Sequence, residues 1–190
     1  MRAKWICGVA ALFGAGMLVG QVMAEGHEEK EGAGAGGPPM WMVLTKEHKD
    51  NLKWAGDWIV EMEFMMGPGK VLKSTGVAKF EPVMGGRYMK QSFSCAMDGM
   101  AYTGMGFHGY DVIAKEHVSI WLDNQSTYMG LSRGTATEMK GIGPSHILGK
   151  LAPYKHVFKH TDDNNMTMEF WDTMPDGKLG RTGTLKYSRK

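Results

Sequence analysis

The chain has 190 residues, 43% of them hydrophobic, with 22 Lys and Arg against 20 Asp and Glu. That length holds one domain with a real core. A net charge of +2 gives no basic field, so nucleic acid and anionic membranes are not expected partners.

The amino-terminal residues read as a secretory signal. Arg2 and Lys4 precede an uncharged run from Trp5 to Gly20, and Val22-Met23-Ala24 offers the small side chains a signal peptidase reads. Residues 1–24 are therefore expected to be cleaved, leaving an exported protein, periplasmic or extracellular. The run is short for a bilayer span, so no transmembrane span is expected after cleavage. Cleavage also removes both basic residues and Cys7, so the mature charges balance and Cys95 stands alone. An intramolecular disulfide is excluded.

Residues 25–43 run from Glu-rich through Gly/Ala to Pro38-Pro39 with no apolar periodicity, as expected for a flexible leader. Thr45 is a candidate N-cap. Leu44, His48, Leu52 and Ala55 recur at helical spacing, and Gly56 ends the segment. One short amphipathic helix is predicted there.

At Gly56-Asp57-Trp58 the period changes to two. Trp58, Val60, Met62, Phe64 and Met66 share one face, and Glu61 and Glu63 the other. Such alternation marks a strand between core and water. A Gly-x-Trp opening of this kind resembles the start of lipocalin-type barrels. Turn signals follow roughly every 8–15 residues, from Gly67-Pro68-Gly69 through Gly141-Ile142-Gly143-Pro144 to Pro175-Asp176-Gly177. Between them lie β-rich runs, among them Arg87–Met97, Met100–Tyr110, His117–Asp123, His156–Thr161, Met166–Thr173 and Leu179–Arg189. The pattern predicts an all-β fold: a single antiparallel, lipocalin-like β-barrel over residues 44–190 with one short N-terminal helix. Closure would remove the sheet edges.

Parity assigns the interior. Met89, Phe93, Cys95 and Met97 share a face, as do Val118, Ile120 and Leu122. So do Met166, Met168 and Phe170, and Leu185 with Tyr187. Cys95 then reads as a buried, inert thiol. Arg189 has inward parity near the chain's end. If first and last strands are neighbours, it lies across the indole of Trp58 as a cation–π closure pair.

Together, several stretches resemble a secreted bacterial family known as domain of unknown function 1579. They are Glu47-His48 with Leu52, Gly56-Asp57-Trp58, Met66-Gly67-Pro68-Gly69, Ser74-Thr75-Gly76 and Gly85-Gly86-Arg87. Then come Gly104-Met105-Gly106-Phe107-His108-Gly109-Tyr110-Asp111, Trp121 with Asp123, Gly143-Pro144-Ser145, Asp176-Gly177 and Tyr187-Ser188-Arg189. The resemblance spans roughly residues 45–190 and implies a single β-rich domain with no assigned activity.

Gly104-x-Gly106-x-x-Gly109 superficially matches a dinucleotide fingerprint. That motif requires a helix N-terminus at the pyrophosphate, and here the glycines lie in a strand. They read instead as bends or places of close backbone approach in a curved sheet. No nucleophile elbow is present, and no catalytic activity is expected.

The candidate ligand-binding residues are Met62, Phe64, Arg87, Phe93, His108, Tyr110, Trp121 and Tyr187. Asp111 and Asp123 either join them or cap turns. The expected function is non-catalytic binding of a small apolar or amphipathic molecule by desolvation, with Tyr or Arg groups fixing its polar end. The 18 methionines suit an adaptable apolar lining. No cofactor is expected. Two metal alternatives remain. Haem could be held by His146, His156 or His160. Copper could bind methionine clusters, or a new terminus Glu25-Gly26-His27 through its amine, amides and imidazole. A third alternative is a packed interaction module with no ligand.

Overall fold

The computed structural model describes residues 37–67 and 69–190. The expected signal segment and His27 lie outside the described residues. The compact unit described below runs over Pro38–Lys190. Among the described residues no helix is long and apolar enough to cross a membrane.

The end of the expected leader is folded onto the barrel. Met40–Met42 form a 3-10 turn, and Arg87 Nη2 donates to the Met42 carbonyl at 2.9 Å. The predicted helix is real but splits. The α-helix α1 covers Lys46–Asn51 and a 3-10 turn covers Leu52–Trp54. Thr45 is its N-cap, and the Thr45 N–H donates to His48 Nδ1 at 3.1 Å.

Ten strands follow: β1 Gly56–Gly67, β2 Lys70–Val83, β3 Tyr88–Met97, β4 Met100–Asp111 and β5 Glu116–Asp123. The second half is β6 Gly130–Gly134, β7 Glu138–Ser145, β8 Lys150–Asp162, β9 Asn165–Thr173 and β10 Leu179–Arg189. Every strand pairs antiparallel with its sequence neighbour, and β1 pairs with β10 to close the barrel. The α1 segment lies against the β3 and β4 end.

Two sequence expectations are corrected. Gly141 to Pro144 is not a turn; it lies inside β7. Its glycines are there for a neighbour. A Cβ on Gly141 would fall 2.6 Å from the Tyr154 ring, and one on Gly143 2.9 Å from it. The second correction is the phase of β5. Val118, Ile120 and Leu122 form its outer face; Leu122 pairs with Met105, and Ile120 with Phe107 and Leu131. His117, Ser119, Trp121 and Asp123 point inward. The reason is again steric. Trp121 lies flat on Gly104 and Gly106, where added Cβ atoms would come within 2.2 and 2.8 Å of the indole. Only the inner face of β4 offers that bare seat. The glycines that superficially match a nucleotide fingerprint are thus a seat for an indole.

Elsewhere parity is as read. Trp58, Val60, Met62, Phe80, Met89, Phe93, Met166, Leu185 and Tyr187 form the buried core cluster. Glu61 and Glu63 are exposed. Cys95, expected to be buried, is a half-buried free thiol that packs against this core, and burial pushes its pKa up.

Closure centres on Arg189. It stands opposite Trp58 across the β1–β10 seam, its guanidinium 4.3 Å from the indole. Nη1 donates to the Ala55 carbonyl at 2.6 Å and Nη2 to that of Lys53 at 2.7 Å. Nε reaches the Asp163 carbonyl at 3.2 Å, in the β8–β9 turn. Gly56, at φ +129°, leaves room for it; a Cβ there would meet Nη1 at 2.9 Å. Arg189→Ala should lower the urea unfolding free energy by about 2–4 kcal/mol, because it strips charge-assisted bonds from three carbonyls and a cation–π contact. Arg189→Lys should recover less than half, lacking the planar fork. Gly104→Ala should cost about 1–3 kcal/mol by displacing the indole, read as a loss of Trp121's near-ultraviolet dichroism.

Candidate functional site

The inward faces of the strands enclose a lumen of about 1740 Å³. That exceeds the ~300–1,000 Å³ of most small-molecule sites. One end is covered by α1 and the Trp54 turn. There Trp58 Nε1 donates to the Trp54 carbonyl at 3.0 Å, and Trp54 meets His160 edge-on at 4.2 Å. The other end is a mouth formed by Met65, Met66, Gln125–Tyr128, His146, Ile147, Met174 and Pro175.

The middle of the lumen is apolar. Met62, Phe93, Phe158, Met168 and Phe170 face it from β1, β3, β8 and β9. Phe64 and Phe170 meet at 5.2 Å between ring centres, which the missing side chain of Gly183 permits. Above them stand Trp121, Tyr102 and Tyr154. Trp121 Nε1 donates to the Tyr102 hydroxyl at 3.0 Å, and burial raises the Tyr102 pKa.

A polar string crosses this apolar wall. His108 Nε2 lies 3.0 Å from Gln91 Oε1, and Gln91 Nε2 donates to the Tyr187 hydroxyl at 3.3 Å. Burial pushes Tyr187 up to about 12. Burial also pushes His108 down to about 4; His156 falls to about 4 from burial and then from its neighbour His108. Both imidazoles are therefore neutral at pH 7. His156 lies between Tyr154, at 4.9 Å, and Phe170, at 4.6 Å.

Six of the eight ligand-binding candidates line this lumen: Met62, Phe64, Phe93, His108, Trp121 and Tyr187. Arg87 and Tyr110 do not, and the expectation that they would is corrected. Arg87 lies just ahead of β3 and is taken by the Met42 carbonyl. Tyr110 has inward parity, but at the capped end, where it packs against His48 at 5.9 Å and His117 at 5.2 Å. Asp111 caps the next turn, accepting from the N–H groups of Ile113 and Ala114 at 3.0 Å. Asp123 does both things foreseen: it lines the mouth and accepts from Gln125 and Ser126.

The haem candidates all line the lumen but are spread along it. His146 is at the mouth, His156 in the wall and His160 against Trp54. Among the described residues no group of three or more His, Cys, Asp or Glu is placed to hold a metal ion. Sequence reasoning missed Gln91, Tyr154, Asp172 and Thr182. Thr182 had no signal at all, because a bulge between Arg181 and Gly183 decides its direction.

Fold and site define a closed up-and-down barrel with a roomy, mainly apolar lumen and a neutral polar string. The chain belongs to the family described as protein of unknown function (DUF1579), whose model matches residues 44–189. No curated protein matches the chain. Among solved structures, a redesigned β-barrel, mFAP0, bound to DFHBI, is similar at 15% identity and a TM-score of 0.43. The match covers 72% of this chain and 99% of that one.

Two of the lumen histidines, His108 and His156, make stability pH-dependent. They protonate near 6.5 when unfolded but only near 4 when folded. Their contribution is complete above about pH 6.5 and is lost as pH falls towards 4. At pH 5 each should cost about 1–2 kcal/mol relative to pH 7.5. Urea unfolding of His156→Gln should show a correspondingly smaller loss between those pH values.

Proposed function

We propose that this protein is a non-catalytic carrier that holds one small amphipathic molecule inside its barrel. The observation that carries the reading is the lumen itself, about 1740 Å³ of space inside a closed wall with methionine and aromatic lining. A barrel meant only as an interaction module would gain stability by filling that space. Here the wall aromatics are laid flat on glycines, which keeps the centre open.

Binding would be driven by desolvation. Each methylene moved from water onto Phe93, Phe158, Phe170 or the lumen methionines contributes about 0.8 kcal/mol. Flexible thioethers adapt to ligand shape. The Gln91 string is already satisfied by His108 and Tyr187, so an apolar chain passes it without stranding a polar group. The expected signal segment, residues 1–24, supports an exported setting for this carrier.

Protein purified without detergent should carry a stoichiometric small molecule in native mass spectrometry, released by organic extraction. Thr182→Trp or Ser132→Trp should narrow the lumen and weaken binding by about tenfold, with far-ultraviolet dichroism unchanged. A bare wild-type protein that also ignores added long-chain alcohols would overturn the reading.

A further inference from the structure

We propose that the lumen selects amphiphiles with a cationic head group, and that Asp172 reads that charge. This rests on the carrier reading above.

The first observation is the charge of the lining. Asp123 and Asp172 line the lumen towards the mouth, while Glu47, Asp50, Asp162 and Asp163 border the capped end, where Asp50 pairs with Lys46 and Lys53 and Asp162 caps its own turn. Among the described lining residues, Lys53 is the only Lys or Arg, and its ammonium is paired with Asp50 at 3.0 Å. An anionic head entering from the mouth would meet two carboxylates and no counter-charge. Burying it unpaired is costly.

The second observation is what surrounds Asp172. It faces inward from β9, directly across from Tyr154 on β8 and Gly180 on β10. Phe170, two residues away on the same face, extends the aromatic wall to Phe64 and His156. The bulge in β10 turns Thr182 inward, and its hydroxyl donates to Asp172 Oδ2. Asp172 Oδ1 has no hydrogen-bond partner among the described residues, and no buried side-chain oxygen is left unsatisfied, so this oxygen opens on the lumen. His156 likewise has no hydrogen-bond partner among the described residues. A carboxylate with a spare oxygen, a neutral imidazole and flanking aromatic faces are what an alkylammonium group needs: a counter-charge, an acceptor and π surfaces. Asp123 also keeps one oxygen without a partner among the described residues, but it is the weaker choice: two backbone N–H groups of its own turn already share its charge, whereas Asp172 accepts from a single hydroxyl.

The test uses three twelve-carbon probes that differ only in the head: dodecylammonium, dodecanol and dodecanoate. Each is titrated below its micelle concentration at pH 7.5, with tryptophan fluorescence as the readout. Trp54, Trp58 and Trp121 all line the lumen. Dodecylammonium should bind about tenfold or more tighter than dodecanol, and dodecanoate more weakly than dodecanol. Asp172→Asn should remove the ammonium preference, bringing dodecylammonium and dodecanol to within about twofold of each other, while Asp123→Asn should keep most of the preference. Dodecanoate binding as tightly as dodecylammonium overturns the inference and leaves the carrier reading standing. A preference that survives Asp172→Asn overturns the assignment to that residue. The titrations use protein that native mass spectrometry shows to be bare, and on it failure of all three probes overturns both readings. The head-group comparison on the unaltered protein decides the charge preference even if the variant does not fold.

Discussion

One guanidinium holds the architecture together. Arg189 is the last strand residue, yet it contacts the end of the helical segment, the start of β1 and the β8–β9 turn. A ten-strand meander has to bring its two ends together over the whole length of the domain, which is the entropically hardest contact in such a fold. Stacking on Trp58 desolvates the charge on one side, and three backbone carbonyls satisfy it on the other. Sealing and closure are thus one interaction. It also fixes Trp54, which covers the lumen floor.

The lumen follows from a second constraint. A ten-strand barrel is wide, and large side chains pointing straight inward would partly fill it. In this barrel the large rings lie along the wall: Trp121 on Gly104 and Gly106, Tyr154 on Gly141 and Gly143, Phe64 over Gly183. Each glycine protects its neighbour's ring position and weakens its own strand, a cost offset by the aromatic packed over it. The result is apolar surface without apolar filling. Charge is distributed with the same economy. Neutral histidines sit mid-wall, Lys53 is the only Lys or Arg among the described lining residues, and the lining carboxylates lie towards the two ends.

The alternation from Trp58 to Phe64 and the inward set Leu185, Tyr187 and Arg189 could be read directly, because both flanking surfaces of β1 and β10 differ in polarity. The pairing of Trp58 with Arg189 was legible for the same reason. In β5 the rule failed. Val118, Ile120 and Leu122 look like a core face, but outward residues on β4 and β6 are apolar too, so lateral packing outside the barrel satisfies them. The inward face is allowed His117, Ser119 and Asp123 because it borders a lumen and not a dry core. The glycines of β7 read as a turn because a glycine seat and a glycine turn have the same spelling. Arg87 and Tyr110 had suitable chemistry but stand at the closed end, where α1 and the Met40–Met42 turn engage them.

By itself the sequence determined the class of fold, its closure pair and most of the apolar lining, since these depend on period-two patterning and on one rare combination of indole and arginine. It also determined that no internal disulfide could help hold the barrel. Tertiary structure alone decided which face of β5 looks inward, that the centre is open, and that Asp172 and Thr182 meet at the lumen wall. Those outcomes depend on strand register, on one bulge and on which ring lies over which glycine. They are relations between residues far apart in the chain, and no local pattern encodes them.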